Sequence, residues 1–90
     1  MQKQYVINVK GKVQGVYYRQ STVETARQLG LSGFVQNESN GDVYVEAQGE
    51  EEQLKKLVEW CKVGSPLAHV SKIIVTEAEL KKHLDFIIRK

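Results

Sequence analysis

At 90 residues, with 41% hydrophobic and 27% charged residues, the chain has the length and balance of one small globular domain, residues 1–90. Its net charge of +2 argues against partners held by bulk charge, so no nucleic acid and no membrane is expected, while one local basic site remains open. A single cysteine, Cys61, rules out an intrachain disulfide; with no apolar N-terminal leader and no run approaching ~18 apolar residues, a cytoplasmic setting is expected.

Tyr5 to Lys10 is β-branched and aromatic with partial alternation and predicts a strand. Two glycines, Gly11 and Gly15, then break the pattern. A helix is expected from Ser21, because Ser21 and Glu24 have capping-box spacing and Val23, Ala26 and Leu29 follow at helical intervals. Gly30 stands where a left-handed C-cap would close it. Gly33 to Asn37 predicts a short strand, and Asn40-Gly41 a two-residue hairpin turn with positive φ at both positions. Val43, Val45 and Ala47 alternate with Tyr44, Glu46 and Gln48, which gives the next strand one buried and one wetter face. Glu50, Glu51 and Glu52 open a second helix, their charges set against the positive end of its dipole. Leu54, Leu57, Val58 and Cys61 form its apolar stripe, and Gly64-Ser65-Pro66 stops it. Val70 to Thr76 and Leu84 to Ile88 are the last strands, the latter with Phe86 and Ile88 on one face. The expected class is α+β: β-α-β-β-α-β plus a short terminal strand, two helices on one face of an antiparallel sheet.

The segment Gly11-Lys12-Val13-Gln14-Gly15-Val16-Tyr17-Tyr18-Arg19 joins a strand to a helix N-terminus, where backbone N–H groups lack helical partners and the dipole favours an anion. Glycines let such a loop curl its N–H groups inward, and Arg19 adds a planar fork of donors that matches two phosphate oxygens. The result is a phosphate cradle by its chemistry. It is not a Walker P-loop, since Lys12 follows the first glycine instead of the last, and Gly-x-Gly-x-x-Gly is absent.

These residues resemble the first signature of the acylphosphatase family, Gly-x-Val-Gln-Gly-Val-x-(Phe/Tyr)-Arg. A second stretch, Gly33-Phe34-Val35-Gln36-Asn37-Glu38-Ser39-Asn40-Gly41-Asp42-Val43 with Gly49 behind it, resembles the second signature, and Phe86-x-Ile88-Arg89 the C-terminal strand. The resemblance runs through the whole chain in order. It implies a ferredoxin-like α/β sandwich and a metal-independent hydrolase without cofactor that splits acyl phosphates to carboxylate and inorganic phosphate, acting as a monomer. By position, Arg19 would bind the substrate phosphate, and Gln14, Gly15, Val16, Tyr17 and Tyr18 would offer it backbone N–H groups. Asn37 would orient the attacking water.

Other readings attach to the remaining residues. Asn37 is also a turn former, and Asn37-Glu38-Ser39 a glycosylation sequon, which needs a secretory route. Cys61 is expected to be a buried structural thiol, Trp60 to cover a core edge, and His69 and His83 to be solvated, without metal-ligand spacing. A binding module of the same fold is the main competing class; RNA stacking would fall to Tyr5 and Tyr44. A second competitor is an acylphosphatase-like domain that binds carbamoyl phosphate inside a larger maturation machine, a reading that the chain's end at Lys90 disfavours.

Overall fold

The computed structural model describes residues 1–90. Seven elements follow in the order β1 (Gln2–Lys12), α1 (Tyr18–Gln28), β2 (Ser32–Asn37), β3 (Val43–Glu50), α2 (Glu51–Val63), β4 (His69–Ala78) and β5 (Phe86–Ile88). The strands form one five-stranded sheet in the order β4-β1-β3-β2-β5. Ile7, Val9, Val43, Val45, Ala47 and Val35 point to one face of it and are buried under both helices. Leu54, Leu57 and Cys61 are the buried stripe of α2, as their spacing predicts, and Val58 packs beside them. Full burial of each leucine stabilises the fold by about 1.5–3 kcal/mol. This is the ferredoxin-like α+β sandwich.

The structure corrects three local expectations. The sheet is mixed: β5 runs parallel to β2, with Gly33 opposite Phe86 and Val35 opposite Ile88. The strand pattern of Leu84 to Ile88 carries no sign of direction, which the path of residues 79–85 back across the sheet sets instead. Helix α1 begins at Tyr18, so Ser21 is not its cap; the Ser21 N–H already donates to the Tyr17 carbonyl at 3.1 Å. Tyr17 is the N-cap residue and supplies no side-chain cap. The hairpin is longer than two residues: the Gly41 N–H donates to the Glu38 carbonyl and the Glu38 N–H to the Asp42 carbonyl. Only Gly41 (φ 96°) has positive φ, while Asn40 keeps ordinary φ and accepts the Asp42 N–H on its side chain at 3.0 Å. That is a type I turn closed by a glycine bulge, a geometry Asn-Gly serves as well as the shorter one. The C-terminus of α1 ends as expected, with Gly30 and Leu31 N–H groups donating to the Arg27 and Ala26 carbonyls.

Candidate active site

The site starts where β1 leaves the sheet. The register of β1 against β4 shifts between Lys10 and Gly11, and a Cβ on Gly11 (φ 127°) would collide with the His69 carbonyl. Only glycine fits this bulge, which turns the chain out of the ladder into the connection to α1. Val13 and Val16 anchor the connection in the core, and the Ser65 hydroxyl donates to the Val16 carbonyl at 2.7 Å. Between these anchors the backbone curls, because Gly15 (φ 73°) and Tyr17 (φ 62°) take left-handed φ while Val16 between them does not. Alternation of this kind turns successive N–H groups toward one centre and makes an anion nest. Left-handed φ costs a residue with a Cβ about 1–2 kcal/mol, so Tyr17 holds strain at the mouth of the site.

Helix α1 opens directly onto that nest. Its first turn has neither a side-chain cap nor an acidic residue, so its orphan N–H groups and positive dipole end face the cleft uncompensated. Tyr18 is fixed from below: its buried hydroxyl donates to the Cys61 carbonyl at 2.8 Å, and burial pushes its ionisation above the usual tyrosine range. Arg19 follows and is half-buried. No ion pair or side-chain hydrogen bond of the chain uses Arg19, whereas Arg27 on the same helix bonds the Phe86 carbonyl at 3.2 Å and Asp85 at 3.3 Å.

Asn37 comes to the site from the sheet. Strand alternation that buries Val35 puts Asn37, two residues on, on the same helix-covered face, opposite the buried Val43. Its Oδ1 is buried and meets no donor in the chain. A cleft of about 390 Å³ joins the two parts: Gly15, Tyr17, Tyr18, Arg19 and Asn37 all line it. Val13, Gln20 and Ile88 complete the wall, three residues outside the expected site set. Ile88 was legible in principle, since it shares a face with Phe86 and lies one strand from Val35. Gln14 and Val16 do not line the cleft; Val16 is core, and the Gln14 side chain reaches across to the β2–β3 hairpin. No carboxylate, histidine or cysteine stands in the wall.

The remaining polar residues divide. His69 is exposed, Cys61 is buried with its thiol pushed up to about 12 by burial, and Trp60 packs on the core with its ring 5.3 Å from that of Tyr18. His83 is not solvated as expected. Its side chain is 13% exposed, with Nε2 3.0 Å from Gln4 Oε1 and 3.5 Å from Glu46 Oε2, because residues 79–85 fold back over the open face of the sheet. Tyr5 packs against the core under the helices, while Tyr44 stacks on Phe34 with centroids 5.9 Å apart on the opposite face. The two tyrosines thus form no common stacking platform. No helix is long and apolar enough to cross a membrane.

A family model described as Acylphosphatase matches residues 5–88. The acylphosphatase of Shewanella amazonensis is 45% identical over 87 residues, which cover 96% of each chain. Acylphosphatase-1 of Gallus gallus is 43% identical over 86 residues, 91% of this chain and 87% of that one. The crystal structure of the acylphosphatase from Bacillus subtilis superposes with a TM-score of 0.95 at 41% identity over 100% of both chains. The match from Tyr5 to Ile88 takes in the cradle, the hairpin strand and the cleft between them, and the chain belongs to the acylphosphatase family, enzymes that hydrolyse the carboxyl-phosphate bond of acyl phosphates.

Proposed function

We propose that the nest at Gly15–Tyr18 and the Arg19 guanidinium hold the phosphoryl group of an acyl phosphate while Asn37 positions the attacking water. Water oxygen forms a bond to phosphorus, the bond from phosphorus to the acyl oxygen breaks, and the carboxylate departs with the electron pair. A carboxylate is a weak base, so its departure needs no general acid, and a phosphoryl oxygen accepts the proton of the water. Charge spreads over the phosphoryl oxygens in the transition state, where fixed N–H donors and a planar guanidinium act most strongly. A wall without carboxylate, histidine or cysteine is adequate for this chemistry, and the reaction is proposed to proceed without metal or cofactor. The enzyme is proposed to act in the cytoplasm as a monomer of one domain, releasing inorganic phosphate and a carboxylate.

The observation that carries this reading is the buried Asn37 Oδ1 with no donor in the chain, on the cleft that Arg19 lines. An unpaired buried acceptor costs about 1–3 kcal/mol, and a water that donates to it removes that cost while presenting its lone pair outward. Asn37→Ala tests the assignment. Turnover falls by about 10²–10³-fold, the usual cost of one positioned polar group, while inhibition by inorganic phosphate is retained. A folded Asn37→Ala protein with wild-type kcat would remove Asn37 from the mechanism.

A further inference from the structure

The nest and Asn37 sit on elements that are not neighbours. The nest follows β1, Asn37 ends β2, and β3 lies between them. The β1–β3 ladder stops at the pair Val9–Val43, before the chain reaches the nest. Backbone pairing therefore does not fix the nest relative to Asn37. A side chain does. Gln14 Nε2 donates to the Glu38 carbonyl at 2.8 Å and to the Asp42 carbonyl at 2.9 Å. Carbonyls only accept, so this orientation of the carboxamide is dictated by its partners.

The two acceptors are the residues that close the hairpin. Glu38 follows Asn37 directly, and Asp42 precedes Val43, the residue opposite Asn37. Their own pairing, Glu38 N–H to Asp42 carbonyl at 2.9 Å, shares its acceptor with one of the two bonds that Gln14 donates. A second tie runs beside it, from Lys10 Nζ to Asp42 Oδ2 at 2.7 Å, but it holds the outer edge of the hairpin from the strand and not from the nest. The residue after Gln14 is Gly15, the first left-handed position of the nest.

We infer that Gln14 is a positioning residue for the hydrolytic step: its side chain clasps the mouth of the β2–β3 hairpin and sets the distance from the phosphate nest to Asn37. The inference rests on the water-positioning role of Asn37. Gln14 touches neither phosphate nor water with its carboxamide; it acts through Glu38 on Asn37. In-line attack tolerates little displacement, and a shift near 1 Å can cost about 10²-fold in rate.

Gln14→Met keeps the length of the side chain and removes both donors. The expected result is a kcat reduced about 10–100-fold with the inhibition constant of inorganic phosphate within about threefold of wild type, since the nest itself stays intact. The same substitution in an Asn37→Ala background is expected to cost less than about threefold, because a residue that acts through Asn37 has nothing left to position. Wild-type kcat in Gln14→Met, loss of phosphate inhibition together with kcat, or full additivity with Asn37→Ala would each overturn the inference. An Asn37→Ala enzyme with wild-type kcat would instead overturn the role of Asn37. If Gln14→Met does not fold, the wild type still decides: the Gln14 carboxamide protons resist exchange with solvent with and without phosphate, and exchange at the rate of a free glutamine side chain refutes the clasp.

Discussion

Removal of one oxygen atom, in Tyr18→Phe, separates what this residue does for the fold from what its backbone does for the site. The ring is 1% exposed and packs on Trp60, and phenylalanine keeps that contact. What is lost is the 2.8 Å bond from the hydroxyl to the Cys61 carbonyl. That carbonyl belongs to the last turn of α2, where no later N–H of the helix can reach it, and Cys61 is fully buried. An orphaned buried carbonyl costs about 1–3 kcal/mol, and the enclosure here argues for about 2 kcal/mol. For a domain of this size each kcal/mol moves the thermal midpoint by about 4–8 °C, so Tm falls by about 8–16 °C. Turnover at a temperature where both proteins are folded stays within about twofold, because the Tyr18 main chain and Arg19 are unmoved. Differential scanning calorimetry and kcat on the same preparation read both quantities. A midpoint within about 2 °C of wild type would show that the hydroxyl bond contributes nothing net, and the account of how α1 is fixed on α2 would fail.

Two further outcomes concern pH. Burial raises the Cys61 thiol from 9.0 to about 12, whereas the unfolded chain ionises near its ordinary value. The folded state therefore holds a proton that the unfolded state has lost, and stability declines between about pH 9 and pH 12, by about 1.4 kcal/mol per unit. Urea melts of wild type and Cys61→Ala at pH 8.5 and 10 check this: the alanine protein lacks that part of the alkaline decline, and equal declines would refute the assignment. Turnover, by contrast, is flat from about pH 5 to pH 8, since an arginine and an amide do not titrate there. A limb near the histidine range would reveal a general acid or base that the cleft wall does not contain.

Much of the site is legible because its chemistry is local in sequence. Gly15 and Arg19 stand four residues apart, one in the strand-to-helix connection and the other in the first turn of α1, and Asn37 occupies the strand end that alternation assigns to the helix face. The start of α1 is not legible in the capping pattern. Ser21 and Glu24 satisfy a capping pattern, yet the helix begins at Tyr18 and leaves its first N–H groups uncapped at the cleft. A helix end without a side-chain cap or an acidic first turn lacks the residues by which helix ends are recognised. The parallel β5 and the half-buried His83 depend on where residues 79–85 cross the sheet, which no periodicity in the chain encodes. The Gln14 clasp was hidden for a similar reason: its partners are main-chain carbonyls of Glu38 and Asp42, and any residues at those positions would offer them.

A planar guanidinium, set beside the nest and unpaired within the chain, is proposed to stabilise the transition state. Arg19→Lys tests it most directly, because lysine keeps the charge and loses the planar fork. The measurement is kcat/KM for hydrolysis of a simple acyl phosphate, with native folding checked by calorimetry. Loss of a transition-state arginine costs about 10³–10⁵-fold in phosphoryl transfer, and a loss in that range is expected here. A folded Arg19→Lys enzyme within about tenfold of wild type would contradict the account, since charge alone would then suffice where a bidentate fork is claimed.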